Sequence, residues 1–313
     1  MPKEKPRWKQ EEINNLKKLV STGVPVSDIA KQFGRKYYSV ASKSNRMGIK
    51  HPYLSPSFKP EISTELAYIL GAWFGDRTSP KKLGIFVNDE DFALKFHMYL
   101  EKILNRKINI KKYGNRFFVQ RIDKDFAEWI RNKSLDEIKE FIKSGGDIAI
   151  ANFLSGFFDA EGTVIKRYAQ VTQKRKEILE ICKELLTKLN ISSSLFRENR
   201  EDESESYYIL RIQKLSSLIN FYNEVGFSIL RKQKNLREVI RTHLKNHASS
   251  LERYNEFVRL VGENLTRKDI AERLNVSVAT TYNWQSGKCL PILVRNNINL
   301  LDLKKLEGEI EYA

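Results

Sequence analysis

Apolar and polar residues follow one another along this chain in two rhythms, and the places where one gives way to the other mark out its elements. The runs ILGAWFGDRT (69–78) and FLSGFFDAEGT (153–163) are apolar round most of a helical turn, which points to helices enclosed by other elements. GIFVN (84–88) and AQVTQ (169–173) alternate with a period of two, the spacing of a strand with one covered face. DFALKFHMYLEKIL (91–104) and KEILEICKELLTKL (176–189) return to helical spacing. FFVQRI (117–122) and YYILRI (207–212) alternate again and run into the strings RIDK and RIQK, with apolar helices after both. The order helix–strand–strand–helix–strand–strand–helix therefore occurs twice. The expectation is an α+β fold of tandem αββαββα repeats with pseudo-two-fold symmetry, spanning residues 63–146 and 147–247.

The flanks are helical. Residues 51–62, with Pro52, Pro56 and Pro60, read as a linker behind a first module at 1–50. Within that module, residues 25–50 read as helix, tight turn, helix, with Ser27 as N-cap and Gly34 at the turn. The second helix carries Arg35, Lys36, Lys43 and Arg46 beside Tyr37 and Tyr38. A segment around 248–254 leads into a last region, 255–308. There TRKDIAERLNVSVATTYNWQSG (266–287) repeats the grammar, with a turn near Asn275 and a second helix from Val278 to Trp284. Both modules resemble helix-turn-helix or Myb-like domains, in which the second helix enters the DNA major groove. Ser277, Ala279, Thr280 and Asn283 are the expected DNA-facing positions of the last module.

Charge narrows the partner. Lys and Arg outnumber Asp and Glu by 55 to 39, a net +16, which selects a polyanion. No apolar run is long enough for a bilayer, and the opening MPKEKPRWKQ lacks the apolar stretch of a signal peptide. Nucleic acid remains, and recognition helices favour double-stranded DNA over A-form RNA. Lys166, Arg167 and Arg211 are further DNA-binding candidates beside the repeat strands. Cys182 and Cys289, far apart, indicate neither a disulfide framework nor a zinc site. A reducing, cytoplasmic, nucleoid-associated setting is expected, with no membrane and no protein partner.

The candidate chemistry lies in the repeat. Gly71 and Gly75 are four apart, as are Gly156 and Ala160, and an acid follows each pair, Asp76 and Glu161. Small residues at this spacing flatten one helix face. Two such faces packed together would bring the acids side by side, where they repel unless a cation sits between them. Oxygen-loving Mg2+ suits that site. Asn88 and Gln173 each lie 12 residues beyond their acid. His243 and His247, four apart on a helix, have no third ligand nearby and read as a solvated face.

FLSGFFDAEGT resembles the signature helix of the LAGLIDADG homing endonucleases, and YILGAWFGDRT resembles the more variable first copy. The resemblance covers residues 63–245 and implies DNA held on saddle-shaped sheets with Mg2+-dependent cleavage of both strands. It makes Asp76 and Glu161 the metal-binding acids and puts Gln173 near the second active site. GFSILRKQKNL (226–236) resembles the segment with the basic active-site residue, here Lys232. The implied activity is that of a site-specific DNA endonuclease. The family has glycine after each acid, where it permits a positive-φ turn and leaves room beside the metal. Gly162 fits and Arg77 does not. Arg77 could crowd the first acid, and Pro80 should shorten or distort the strand after it. Arg77 and the doubled flanking modules keep open a second reading, a DNA-binding regulator without cleavage. An RNA-splicing helper is disfavoured. With both acid helices in one chain the expected state is a monomer. The termini, Met1 and Glu311–Tyr312–Ala313, point to a freestanding protein rather than an intein.

Overall fold

The computed structural model describes residues 8–24, 26–49, 58, 60–76, 83–105, 107–121, 123–198, 206–263 and 265–298. Three short helices come first, α1 (Gln10–Ser21), α2 (Val26–Gln32) and α3 (Tyr37–Arg46). They enclose a core of their own built from Leu16, Val20, Ile29 and Val40. Gly34 supplies the turn between α2 and α3 with φ +62°, as expected. Ser27 does not cap α2, because the helix already begins at Val26.

The first repeat runs α4 (Thr64–Asp76), β1 (Leu83–Val87), α5 (Glu90–Leu104), β2 (Ile110–Tyr113), β3 (Arg116–Arg121), α6 (Lys124–Arg131) and α7 (Leu135–Ser144). The second runs α8 (Gly146–Glu161), β4 (Gly162–Ile165), β5 (Tyr168–Gln173), α9 (Lys176–Lys188), β6 (Ser194–Glu198), β7 (Tyr207–Ile212) and α10 (Leu215–Asn220), with a π-helical turn at Phe221–Val225. Both sheets are antiparallel, in the orders β1-β3-β2 and β4-β5-β7-β6. Strands β1, β3 and β2 take the places of β5, β7 and β6. The residues between α4 and β1, 77–82, lie outside the described residues, and with them Arg77, Pro80 and the expected distortion.

Helices α4 and α8 form the axis of the molecule. A Cβ on Gly71 would lie 1.9 Å from the Phe153 carbonyl oxygen and 2.8 Å from the Phe157 nitrogen; one on Gly156 would lie 2.2 Å from the Tyr68 oxygen and 2.9 Å from the Ala72 nitrogen. The two sets of contacts are reciprocal, since Phe153 and Phe157 hold the same repeat positions as Tyr68 and Ala72. This is the expected two-fold packing, backbone against backbone. Around it, one continuous core takes in both sheets and α5, α9 and α10.

The boundary expected at 248–254 is absent. Helix α11 (Leu230–Leu260) runs unbroken through it for 31 residues, about 46 Å at the usual rise. Its far end supplies Phe257 and Leu260 to a third small core with Ile270, Leu274 and Trp284. That core joins α12 (Arg267–Arg273) and α13 (Val278–Gln285), and Asn275 turns between them at φ +51°. The chain then returns. Leu293, on α14 (Ile292–Arg295), and Ile298 belong to the main core. The region expected as one domain at 255–308 is thus divided between two cores. No helix among the described residues is long and apolar enough to cross a membrane.

Candidate active site

Asp76 ends α4 and Glu161 ends α8, so the glycine packing that joins these helices also brings their acids together. A Cβ on Gly75 would stand 2.4 Å from the Ala160 Cβ and 3.0 Å from the Glu161 Cγ. Burial raises the Asp76 carboxyl above its ordinary range, and Lys232 opposes the rise. Glu161 goes further, to about 7, through burial first and the charge of Asp76 second; Lys232 and Gln173 pull it down. Two neighbouring carboxyls, both raised by burial and one of them also by the other's charge, form a place where positive charge is stabilised.

Gln173, at the end of β5, donates its amide Nε2 to Glu161 Oε1 at 2.6 Å. The repeat equivalent in the first half, Asn88, is exposed. Lys232 is not a solvated loop lysine. It lies in the first turn of α11, 8% exposed, and donates Nζ to the Asp159 carbonyl at 2.6 Å and the Phe158 carbonyl at 3.5 Å. Those carbonyls sit in the last turn of α8, the negative end of its dipole. Burial lowers the proton affinity of Lys232, while Asp159, Asp89 and Asp76 support its charge.

Three acids that sequence reasoning passed over hold Lys232 in place. Asp159 is 1% exposed. It accepts from the Tyr68 hydroxyl at 2.6 Å, the Ser228 nitrogen at 2.9 Å, the Ile229 nitrogen at 3.4 Å and the Ser228 hydroxyl. From the first repeat, Asp91 accepts from the Leu230 nitrogen at 2.6 Å, and Asp89 takes Arg231 in a two-point pair at 2.8 and 2.9 Å. The start of α11 is thus pinned by both halves. The signal for Asp159 was present: a lone acid inside an apolar run, two residues before Glu161. Asp89 and Asp91 carried none, because an acid at a helix start is ordinary.

Gly162 also needs correction. Its φ is −77°, extended rather than left-handed. Glycine is required there for space, since a Cβ would meet the Phe158 oxygen at 2.3 Å and the Phe227 ring at 2.9 Å.

The sheet faces turned away from the core mix cations with aromatic rings. Arg211 hydrogen-bonds Gln170 Oε1 at 3.1 and 3.3 Å and lies over the rings of Tyr168 at 4.0 Å and Phe196 at 5.2 Å. In the first repeat Arg116 lies 5.3 Å from the Phe86 ring, which meets Phe118 edge-on. Lys166 and Arg167 are exposed at the turn between β4 and β5, Lys166 at φ +38°.

In the flanking modules the structure divides the candidates. Lys36 and Arg46 are exposed on or beside α3, and Lys43 is half-buried. Arg35 is committed internally: its guanidinium pairs with both Glu12 oxygens at 3.1 and 2.9 Å and covers the Trp8 ring at 4.3 Å. Ser277 caps α13 by accepting from the Thr280 nitrogen at 3.1 Å. Ala279 is exposed, and Thr280 and Asn283 are half-buried. Tyr282, which the sequence did not single out, is 58% exposed on that helix with Arg267 over its ring at 4.4 Å.

Residues 149–226 match the LAGLIDADG-like domain. Over 255 residues the chain is 30% identical to the uncharacterized protein MJ0398 of Methanocaldococcus jannaschii, a match that covers 73% of this chain and 92% of that one. The chain belongs to the family of MJ0398 and carries a LAGLIDADG-like domain. It is also 26% identical over 273 residues to the replication factor C small subunit of the same organism, and there it spans only 14% of the longer protein. Among solved structures, the homing endonuclease I-DmoI in complex with DNA and Ca is similar at a TM-score of 0.43 and 22% identity, over 52% of this chain and 88% of that one.

The donor set of this LAGLIDADG-like site suits a hard divalent cation. Asp76, Glu161 and the Gln173 amide offer oxygen alone, and Mg2+ is commonly held by one or two carboxylates with water and phosphate oxygens completing the shell. No group of three or more His, Cys, Asp or Glu among the described residues is placed to hold a metal ion without such help.

Proposed function

We propose that this chain is a site-specific double-stranded-DNA endonuclease of the homing type, dependent on Mg2+ or a similar divalent cation. The observation that carries the reading is the acid pair. Asp76 and Glu161 meet at the ends of two helices packed backbone to backbone, with buried Lys232 behind them. When bound, the cation would help activate water and stabilise the leaving oxygen of a phosphodiester. The chain's own part is to hold that charge and aim it. Gln173 fixes the orientation of Glu161, and Lys232 balances negative charge from the protein side. The outer sheet faces, with Arg116, Lys166, Arg167 and Arg211, grip the duplex on either side. The flanking modules extend the contact through Lys36, Lys43 and Arg46 and through the exposed face of α13. One acid from each repeat assigns one strand of the duplex to each half, and a monomer suffices.

One observation favours a second reading, a DNA-binding regulator with weak or no cleavage. The two acids have unequal surroundings: Glu161 has Gln173, while Asn88 on the Asp76 side is exposed. The test is incubation with Mg2+ and DNA made from the flanks of the protein's own gene rejoined without the gene. A single double-strand break near the junction supports the endonuclease. Tight binding with no break at any Mg2+ concentration selects the regulator.

A further inference from the structure

At the end of the second sheet farthest from Glu161 lies a cavity of about 730 Å³ that the proposed cleavage reaction does not use. Four separate parts of the chain meet there. Arg167 comes from the β4–β5 turn, Lys214 from the corner after β7, His243 from the middle of α11 and Arg295 from α14. Leu215 and Ile292 give the cavity apolar walls. No acid lines it. Asn296 ties α14 to the β7–α10 corner, its Oδ1 accepting from the Ser216 nitrogen at 3.4 Å. His243 approaches the Arg167 carbonyl at 3.4 Å, and the His247 ring lies beside it at 6.4 Å.

Fixed cations beside apolar walls concentrate positive potential. Several cations elsewhere on this protein are neutralised, as Arg231 is by Asp89, Arg259 by Glu256 and Lys139 by Glu184. Among the described residues Arg167, Lys214 and Arg295 have no such partner. The field is felt nearby: burial, with the charges of His243, Arg167 and Arg295, holds His247 below the ordinary imidazole range. Arg167, Lys214 and Arg295 are solvent-exposed, and three cations from three elements lining one cavity offer charge-assisted hydrogen bonds to an anion placed among them.

We infer that this cavity is a phosphate-binding site, formed where α14 closes the second repeat and distinct from the acid pair. Its ligand carries a phosphate group with more than one negative charge within reach of Arg167, Lys214 and Arg295. The group has two possible sources. One is a backbone phosphate of duplex DNA running past the end of the sheet toward the α12–α13 module. The other is a free phosphate compound. The DNA source rests on the proposed function; the site itself does not.

The probe is pyrophosphate, titrated calorimetrically into the full-length protein without divalent cation. Wild type is expected to bind it. The double variant Lys214→Gln/Arg295→Gln should bind at least about tenfold more weakly. Arg295→Lys, which keeps the charge, should retain most of the affinity, and unchanged thermal melting would establish that all three fold. A charge-matched control, Lys183→Gln/Lys188→Gln on α9, should bind pyrophosphate as wild type does. A second arm uses a 40-base-pair duplex without a target sequence and the slope of log affinity against log salt. If the source is DNA, the cavity variant loses about one unit of slope per phosphate contact removed and the α9 control does not. Loss of pyrophosphate binding with an unchanged slope assigns the site to a free phosphate compound. Failure of wild type to bind pyrophosphate, or equal binding by the double variant, overturns the inference. A protein that binds no DNA but passes the pyrophosphate arm would sink the endonuclease reading and leave the cavity site standing.

Discussion

Gly71 and Gly156 lack a Cβ, and at both positions the backbone of the partner helix occupies the space a methyl group would take. Neither side has a flexible side chain that could yield. Gly71→Ala should therefore cost about 3 kcal/mol of stability, as overpacking against rigid neighbours does. Chemical denaturation of the two proteins measures it, and a loss below about 0.5 kcal/mol would mean the helices are not this close. Spacing alone made these glycines visible. It did not reveal the role of Gly162, where the reason is space and not positive φ, because a steric neighbour cannot be read from a local motif. Arg35 misled for the same reason: a basic residue beside tyrosines looks like a DNA contact until Glu12 and Trp8 are seen to surround it. Glu161 offers a test by pH. Its folded value of about 7 stands above the ordinary 4.5, so the folded state holds the proton more tightly than the unfolded chain. That contribution is complete below about 4.5 and disappears as pH rises through about 7. Relative to Glu161→Gln, the metal-free wild type should thus lose about 1–3 kcal/mol between those limits, allowing for partial exposure. Added Mg2+ should restore the loss at the upper end. A constant difference across the range would contradict the raised value.

Most helices and strands were legible because their periods are clear. Two strands of each sheet, the turns at Gly34 and Asn275, and the paired central helices all follow from patterning. Helix α11 was not, because the polar run 245–250 looks like a break in sequence. In the structure that run stays helical because Leu244 and Leu251 on either side of it both pack into the main core, and the helix continues to Phe257 in a separate one. The consequence is functional, since one rod connects Lys232 at the acid pair to the α12–α13 module. Its start is fastened to the first repeat by Asp89 and Asp91 and to the second by Asp159. Arg231 is largely solvent-exposed, so the Asp89 pair adds little to stability, about 1 kcal/mol or less. Its effect should lie in placing Lys232. Asp89→Asn is expected to lower single-turnover cleavage about tenfold, with DNA affinity and melting temperature nearly unchanged. A parallel loss of affinity, or no change in rate, would remove the clamp from the account.

At the scale of the whole molecule, three cores of different independence are joined by one chain. Among the described residues, the first module shares no buried residue with the others. Removing residues 1–49 should leave the unfolding of the remainder within about 1 kcal/mol of the intact protein, while weakening DNA binding at physiological salt. Ending the chain at residue 286 should behave differently. Leu293, fully buried, and Ile298 leave the main core, so the body should lose about 3 kcal/mol or more. Equal melting of the intact and shortened proteins would show that α14 does not dock. This return was not read from the sequence, where residues 255–308 look like one helical region; Leu293 and Ile298 carry no local sign of which core they join. The acid pair, by contrast, could be read from two copies of one helix, and the proposed cleavage converges on it. The most direct test resolves the two DNA strands. Single-turnover cleavage is followed on each labelled strand of a tightly bound target, for wild type, Asp76→Asn and Glu161→Gln. The account predicts Mg2+-dependent cutting of both strands by wild type, and loss of at least one cut in each variant, with affinity kept within about 1 kcal/mol. Cleavage of both strands at the wild-type rate by either variant would contradict it.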